Sequence, residues 1–415
     1  MKSDDIKFEG LNRFHNYICE KYLSNRTSFF LIGIRFIINE KLSSFEQDDF
    51  KNDFTKRKLK EYLAKALREY NECINVAYDI QQFVKDVDFN NKTITRMFWA
   101  LDVNDNNLVL EFLDQILIKE ETRPFEFMTN KSIAKLGVRI ANPKDSYICY
   151  EPFLGAGVFF TSIDNNPTLF GTEKNEFNLL IAIIRSIVAR KQFTYKFSNT
   201  YQNISEKKEF ADVVFADGPM AGIIENSKNL YKDYPQLFPS KYANIANILI
   251  TLNSMKEDGI GIIHLPTGVL FSTSAIYLRL KEYLVNNNLI DAIIDLNQMC
   301  YGTGVSTILL ILRKNKKDDQ KIVFINSKNY TAIKEKYNYI TEEGIEVITN
   351  IVKEKKEVKG ISAVKSISEV FNSINSLMVS RFVEISDKRV FRPLYEIDSD
   401  MNKVWESIVK NVYDK

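Results

Sequence analysis

The sequence predicts an α/β fold: a doubly wound, mostly parallel sheet carried between two helical regions. Three observations predict it. From Pro124 onward, short apolar β-branched runs alternate with segments of helical period, the pattern of strand–helix–strand units. One of these runs, in the stretch S-Y-I-C-Y-E-P-F-L-G-A-G at 146–157, breaks into a turn with Gly155 and Gly157 before an apolar helical run. Ahead of Pro124 there is no proline, and Phe14, Ile18, Tyr22, Leu31, Ile34 and Ile38 recur at helical spacings.

The elements follow in order. Residues 1–122 read as a helical domain, with a basic cluster at 56–60 taken as a solvated helix face. Residues 123–330 read as the sheet domain. Strands are expected at 146–151, 169–172, 193–197, 211–216, 261–265, 289–296, 307–312 and 321–325. Helices are expected between them at 158–163, 175–190, 242–255 and 274–285. Residues 331–415 return to Lys- and Glu-rich sequence and read as a C-terminal helical tail.

Composition narrows the function. The chain has 415 residues, 45% of them hydrophobic and 27% charged, as expected of a soluble protein of two or three domains. The first residues lack the apolar core of a signal peptide, and no segment is long and uncharged enough for a membrane span. A cytoplasmic protein with no membrane partner is therefore expected. Cys19, Cys73, Cys149 and Cys300 are far apart, which favours free thiols over a disulfide frame or a zinc site. His15 and His264 are the only histidines, so the chemistry is expected to do without imidazole and without a metal. A net charge of +2 is low for a protein that grips nucleic acid alone. Either the substrate is something else, or another subunit supplies much of the grip.

The glycine turn is the first candidate site. A strand that feeds such a turn and then a helix sets backbone N–H groups at the carboxyl edge of the sheet, where nucleotide-like ligands bind. Glu173 follows Glu151 by 22 residues, at the end of the next strand. An acidic side chain there can accept both ribose hydroxyls of an adenosine-containing cofactor. Asn199, after the third strand, suits either an adenine amino group or a turn.

Several motifs, in the right order, resemble one family. Phe125-Glu126-Phe127-Met128-Thr129-Asn130 resembles G-E-F-Y-T-P, and Glu151-Pro152-Phe153-Leu154-Gly155-Ala156-Gly157 resembles D-P-x-x-G-S-G. From Gly259, G-I-G-I-I-H-L-P-T-G-V-L-F resembles G-x-x-x-x-V-x-P-x-G-V-L-F. Arg279 falls on an I-R-x-x-L arginine, Y-G-T-G-V-S-T-I-L-L-I-L-R-K resembles T-G-x-x-T-x-I-L-V-L-x-K, and S-R-F-V at 380–383 resembles S-R-Y-V. The family is the methylation subunits of type I restriction-modification systems, adenine-N6 DNA methyltransferases. The resemblance implies a Rossmann-like class I methyltransferase sheet, S-adenosylmethionine as cofactor, double-stranded DNA as substrate, and a DNA specificity subunit docked near the tail. It also implies that Phe127 and Thr129 line the cofactor pocket and that Glu151, Pro152, Gly155 and Gly157 cradle the methionine part.

The catalytic motif departs from the family pattern. After the fourth strand the pattern is [N/D/S]-P-P-[Y/F/W]; here it is Asp217-Gly218-Pro219-Met220. The first side chain and the next carbonyl are implied to hold the two amino hydrogens of adenine, and the aromatic to stack on the flipped base. Asp217 can accept, but Gly218 lacks the locked φ of proline, and Met220 is no flat ring. A looser loop is expected, with Pro at 218 and Phe at 220 expected to raise the rate. Three readings follow: an active adenine methyltransferase, a weakly catalytic or inactive homologue that scaffolds a second methyltransferase subunit, or a glutamine methyltransferase of release factors. The long helical flanks and the S-R-F-V tail argue against the third.

Overall fold

The computed structural model describes residues 3–52, 55–70, 76–119, 128–202, 208–224, 232–237, 240–300, 304–316, 321–334 and 337–384. Helices α1 (Ser3–Tyr22), α2 (Asn25–Lys41), α3 (Ser44–Asn52), α4 (Lys56–Ala66), α5 (Val76–Gln82), α6 (Lys92–Ala100) and α7 (Asn106–Lys119) come first. Their starts carry the expected caps: Ser24, Thr55 and Asn91 accept from backbone N–H groups of α2, α4 and α6. Helix α2 is buried all round from Ser28 to Ile38, which makes it the axis of this bundle rather than a surface helix. The basic cluster at 56–60 lies in the first turns of α4, where Lys58 pairs with Asp49 and Arg57 with Glu61.

After α8 (Lys131–Ala141) come the strands and helices of the sheet. They are β1 (Ile148–Glu151), α9 (Val158–Thr161), β2 (Thr168–Glu173), α10 (Glu176–Val188), β3 (Thr194–Phe197), β4 (Ala211–Ala216), α11 (Ala243–Ser254), β5 (Met255–Pro266), α12 (Gly268–Phe271), α13 (Ala275–Asn286), β6 (Ile290–Asn297), β7 (Thr307–Leu312) and β8 (Lys321–Asn326). The chain continues through β9 (Thr331–Lys334), β10 (Tyr337–Ile340), α14 (Glu342–Glu354), β11 (Ser362–Ser366) and α15 (Ile367–Phe371). Nine strands form one sheet in the order β11-β8-β6-β7-β5-β4-β1-β2-β3, and β9 and β10 form a separate hairpin.

The sheet is parallel except at β7 and β11. Only nine residues, 298–306, separate β6 from β7, too few for a helical crossover, so the two strands pair antiparallel. One face of the sheet packs on α8, α9, α10 and the N-terminal bundle; the other carries α11 and α13. The reversal of strand order between β1 and β4 opens a crevice at the carboxyl edge, the place where such sheets bind ligands.

The stretch from 331 differs from the expected helical tail. It contributes the β9–β10 hairpin and an edge strand, β11, that pairs with β8 over five residues. S-A-V-K-S is too short and too mixed to show a strand period, and its Lys- and Glu-rich flanks mask it further. Residues through Val383 belong to one compact unit, and 385–415 lie outside the described residues.

Candidate active site

The carboxyl ends of β1, β2, β4 and β5 meet at a cleft of about 870 Å³. Its walls include Thr129, Pro152, Gly155, Glu173, Asn199, Asp217, Gly218, Pro219 and Met220, so most of the residues singled out from the sequence converge here. Phe127 lies outside the described residues. Glu151 and Gly157 do not line the cleft and act from behind it.

The glycine turn is built from both sides. Gly155 and Gly157 have φ of 52° and 65°, and Gly157 caps α9. A Cβ at Gly157 would be strained in that conformation and would touch Ala182 Cβ at 3.3 Å, so this glycine serves the turn and not the approach of a ligand. The Glu173 carboxylate holds the turn against β2: Oε2 accepts from Gly155 N at 2.8 Å, and Oε1 from Lys174 N and Asn175 N at 3.0 and 2.8 Å. Arg185 on α10 anchors it from below. This buried guanidinium pairs with Asp114 of α7 at 2.8 Å and donates to the Ala156 carbonyl and Thr161 Oγ1. The apolar reading of α10 passed over Arg185, because a lone cation in an apolar helix shows no partner in sequence.

Glu151 is fully buried, and neither carboxylate oxygen has a partner among the described residues. Burial first, then the charges of Asp217 and Glu173, push its carboxyl well above the usual carboxylate range, while Arg185 pulls the other way. The folded state therefore keeps the proton longer than the unfolded chain. That contribution to stability is full below the unfolded pKa and is lost as pH rises toward the folded one. Glu151→Gln, which cannot ionise, is expected to gain in melting temperature over wild type as pH is raised from 5 to 8. A gap that stays constant across that range would contradict this.

The loop after β4 is held more firmly than its glycine suggests. Gly218 is buried, and the Pro219 carbonyl accepts from Asn247 Nδ2 of α11 at 3.2 Å. Asn247 Oδ1 in turn accepts from the Tyr201 hydroxyl at 2.9 Å. A Cβ at Gly218 would lie 2.7 and 2.8 Å from Phe153 ring carbons and 2.9 Å from Asn247 Nδ2. Phe153 thus takes the space a proline would need, and its ring packs on Tyr201 with centroids 5.3 Å apart. Proline at 218 is therefore not expected to raise the rate. Gly218→Pro is instead expected to lower stability by about 1–3 kcal/mol, as overpacking does. Phe153→Ala in the same chain is expected to relieve most of that loss in a double-mutant cycle read by chemical denaturation; additive losses would show that the two positions do not compete.

His264, one of the two imidazoles that the sequence reading set aside, lies at the site. It lies on β5, lines the cleft, and its Nδ1 is 2.9 Å from Asp217 Oδ1. Its place inside an apolar strand hid it from sequence reading. Asn130 was missed as a framework residue for a similar reason: it caps α8 and donates to the Met299 and Asn338 carbonyls, tying three separate segments to the cleft wall. Asn199 lines the cleft, and its Oδ1 is used in a turn to Tyr201 N at 3.1 Å.

The cleft fits the cofactor the resemblance implies. Two carboxyl groups, Glu173 and Asp217, line the cleft at the ends of β2 and β4, an arrangement that favours a cationic ligand. Each Glu173 oxygen has two lone-pair directions, so Oε2 keeps capacity for a hydroxyl beside Gly155 N. Phe177 adds a flat apolar wall, with the Arg26 guanidinium 4.3 Å from its ring centroid.

Comparison with known proteins identifies the family. Residues 111–390 match the family model for N-6 DNA Methylase. The chain is 27% identical over 310 residues to the type I restriction enzyme MjaVIII methylase subunit of Methanocaldococcus jannaschii, covering 67% of this chain and 53% of that one. It is 25% identical over 288 residues to the type I restriction enzyme MpnII methylase subunit of Mycoplasma pneumoniae, covering 62% and 53%. The chain spans about half the length of these curated relatives. In fold it is similar to the type I restriction-modification methyltransferase subunit of Streptococcus thermophilus, with a TM-score of 0.74 at 18% identity, covering 92% of this chain and 100% of that one.

Proposed function

The chain belongs to the N-6 DNA methylase family, and on that premise we propose that it is the modification subunit of a restriction-modification or related defence complex. Its reaction is methyl transfer from S-adenosylmethionine to N6 of adenine in double-stranded DNA. One observation carries the reading: the Gly155–Glu173 side and the Asp217–Met220 loop open on the same cleft.

Bound there, S-adenosylmethionine supplies an electrophilic methyl group. Glu173 takes a ribose hydroxyl with the lone pair its backbone bonds leave on Oε2, and the turn at Gly155 takes the methionine part. Asp217 and the Gly218 carbonyl accept the two amino hydrogens of a flipped-out adenine, and Asp217 takes up the proton the nitrogen loses. Phe153 and Tyr201 offer the aromatic surface that Met220 lacks, a contact worth about 1–3 kcal/mol per base. The low net charge implies that a DNA specificity subunit supplies the target and much of the grip. Such a complex works in the cytoplasm; among the described residues no helix is long and apolar enough to cross a membrane.

The departures at Gly218 and Met220 favour one second reading, a weakly catalytic homologue that scaffolds another methyltransferase subunit. Titration calorimetry of the full chain with S-adenosylmethionine, followed by modified-base sequencing of DNA from cells with and without the gene, tests both. Heat of binding and N6-methyladenine at one motif, lost on deletion, are the expected results. Absence of binding at millimolar cofactor would overturn the donor site.

A further inference from the structure

Two positions where this chain carries a polar group in the strand-end motifs meet in space. The family pattern places valine where His264 lies on β5, and Asp217 heads the loop after β4. His264 Nδ1 and Asp217 Oδ1 are 2.9 Å apart, with side chains only 3% and 12% exposed. An apolar residue would fill that strand position without a desolvation cost, so an imidazole there calls for a reason. Nε2 of His264 is also buried, and it has no hydrogen-bond partner among the described residues. The ring is therefore not a side chain satisfied at both ends by the core.

The loop sequence supplies the reason. A proline at 218 would confine the residue before it to extended conformations and so set the direction of the Asp217 side chain. Gly218 removes that restraint. A carboxylate oxygen only accepts, so Nδ1 carries the hydrogen of this bond and ties Oδ1 to β5. Oδ2 is left as the acceptor.

We propose that His264 is a positioning residue: its Nδ1–H holds Oδ1 of Asp217 so that Oδ2 faces the amino group of the target adenine. The proposal deepens the methyltransferase reading and rests on it. His264 restores at the side chain the orientation that the missing proline would have set in the backbone. It also disposes Oδ2 to take the proton that leaves the adenine nitrogen as the methyl group arrives. The proton passes to solvent once the product leaves, and His264 itself exchanges none.

The test uses the full chain assembled with its specificity subunit, unmethylated genomic DNA from cells lacking the gene, and tritiated S-adenosylmethionine. His264→Val, the residue of the family pattern, is expected to lower kcat by about 10- to 100-fold, the rate equivalent of one hydrogen bond to a charged group. Cofactor affinity by calorimetry and KM for DNA are expected to stay within about twofold of wild type. His264→Gln, which keeps a donor, is expected to recover most of the rate. Equal rates in wild type and a folded His264→Val, or equal losses in the Val and Gln variants, would overturn the proposal. A second arm does not need turnover. In protein labelled with ¹⁵N-histidine, which holds only two imidazoles, the His264 Nδ1–H resonance is expected downfield and shifted in Asp217→Ala. A resonance indifferent to Asp217 would overturn the pairing itself. Failure of the wild type to methylate, with the pairing intact, would instead remove the parent reading and the role together.

Discussion

Asp217→Ala is expected to lose methyl transfer by about 100-fold or more, the scale of a removed proton-handling group. The variant should keep its fold, because Asp217 is partly exposed to the cleft and, among the described residues, its side chain bonds only to His264. It should also keep the cofactor, since Gly155, Glu173 and the Arg185 anchor lie on other elements. Asp217→Asn should lose less, because an amide oxygen still accepts an amino hydrogen and asparagine is one of the residues the family pattern allows. The measurement is tritium transfer to unmethylated DNA by the assembled complex, with melting temperature and calorimetry as controls. Unchanged transfer in Asp217→Ala would assign the chemistry to a partner and leave this chain as a scaffold.

How far the sequence carried the reading depends on the kind of residue. Backbone devices were legible: the glycine turn, the strand ends at Glu151 and Glu173 and the loop from Asp217 all fall where period and turn chemistry put them. Position on a strand did not decide exposure, however. Glu151 and Gly157 belong to the right motif yet lie behind the cleft, because Glu151 is buried at the end of β1 and Gly157 packs against Ala182 of α10. Residues whose role is a distant partner were not legible. Arg185 finds Asp114 across 71 positions and His264 finds Asp217 across 47. Neither pairing leaves a trace in local pattern. Phe153 falls on an unspecified position of the glycine motif, and only its distance from Gly218 shows why this loop carries glycine. Composition misled once: the Lys- and Glu-rich flanks hid β11, a five-residue strand with a single charge of its own.

That edge strand sets the second large effect, which concerns where the chain can be cut. Taking 331–415 as a tail implies that removal after 330 spares the sheet and costs only subunit docking. The packing implies otherwise. Beyond 330, Ile345, Ile348, Ile351, Val370, Leu377, Val379 and Val383 are each at most 3% exposed in the core. At about 1.5–3 kcal/mol for each buried side chain, they represent roughly 10–20 kcal/mol as an upper estimate. Total stabilities are about 5–15 kcal/mol, so the cut removes as much as the domain has. It also removes partners from side chains that remain. Lys281 of α13, nearly fully buried, donates to the Leu270, Ser272 and Asn375 carbonyls, and the Phe382 ring stacks on Phe324 of β8 with centroids 4.0 Å apart. Truncation after 330 is therefore expected to abolish cooperative thermal unfolding and leave protein that binds no cofactor. Truncation after 384 is expected to keep the wild-type melting temperature within a few degrees and to keep cofactor binding. If residues 385–415 dock the specificity subunit, this shorter cut alone should lose the complex on size-exclusion chromatography while the calorimetric titration is unchanged. A soluble, cooperatively unfolding product from the longer cut would show that β11 and the segment behind it are dispensable to the sheet.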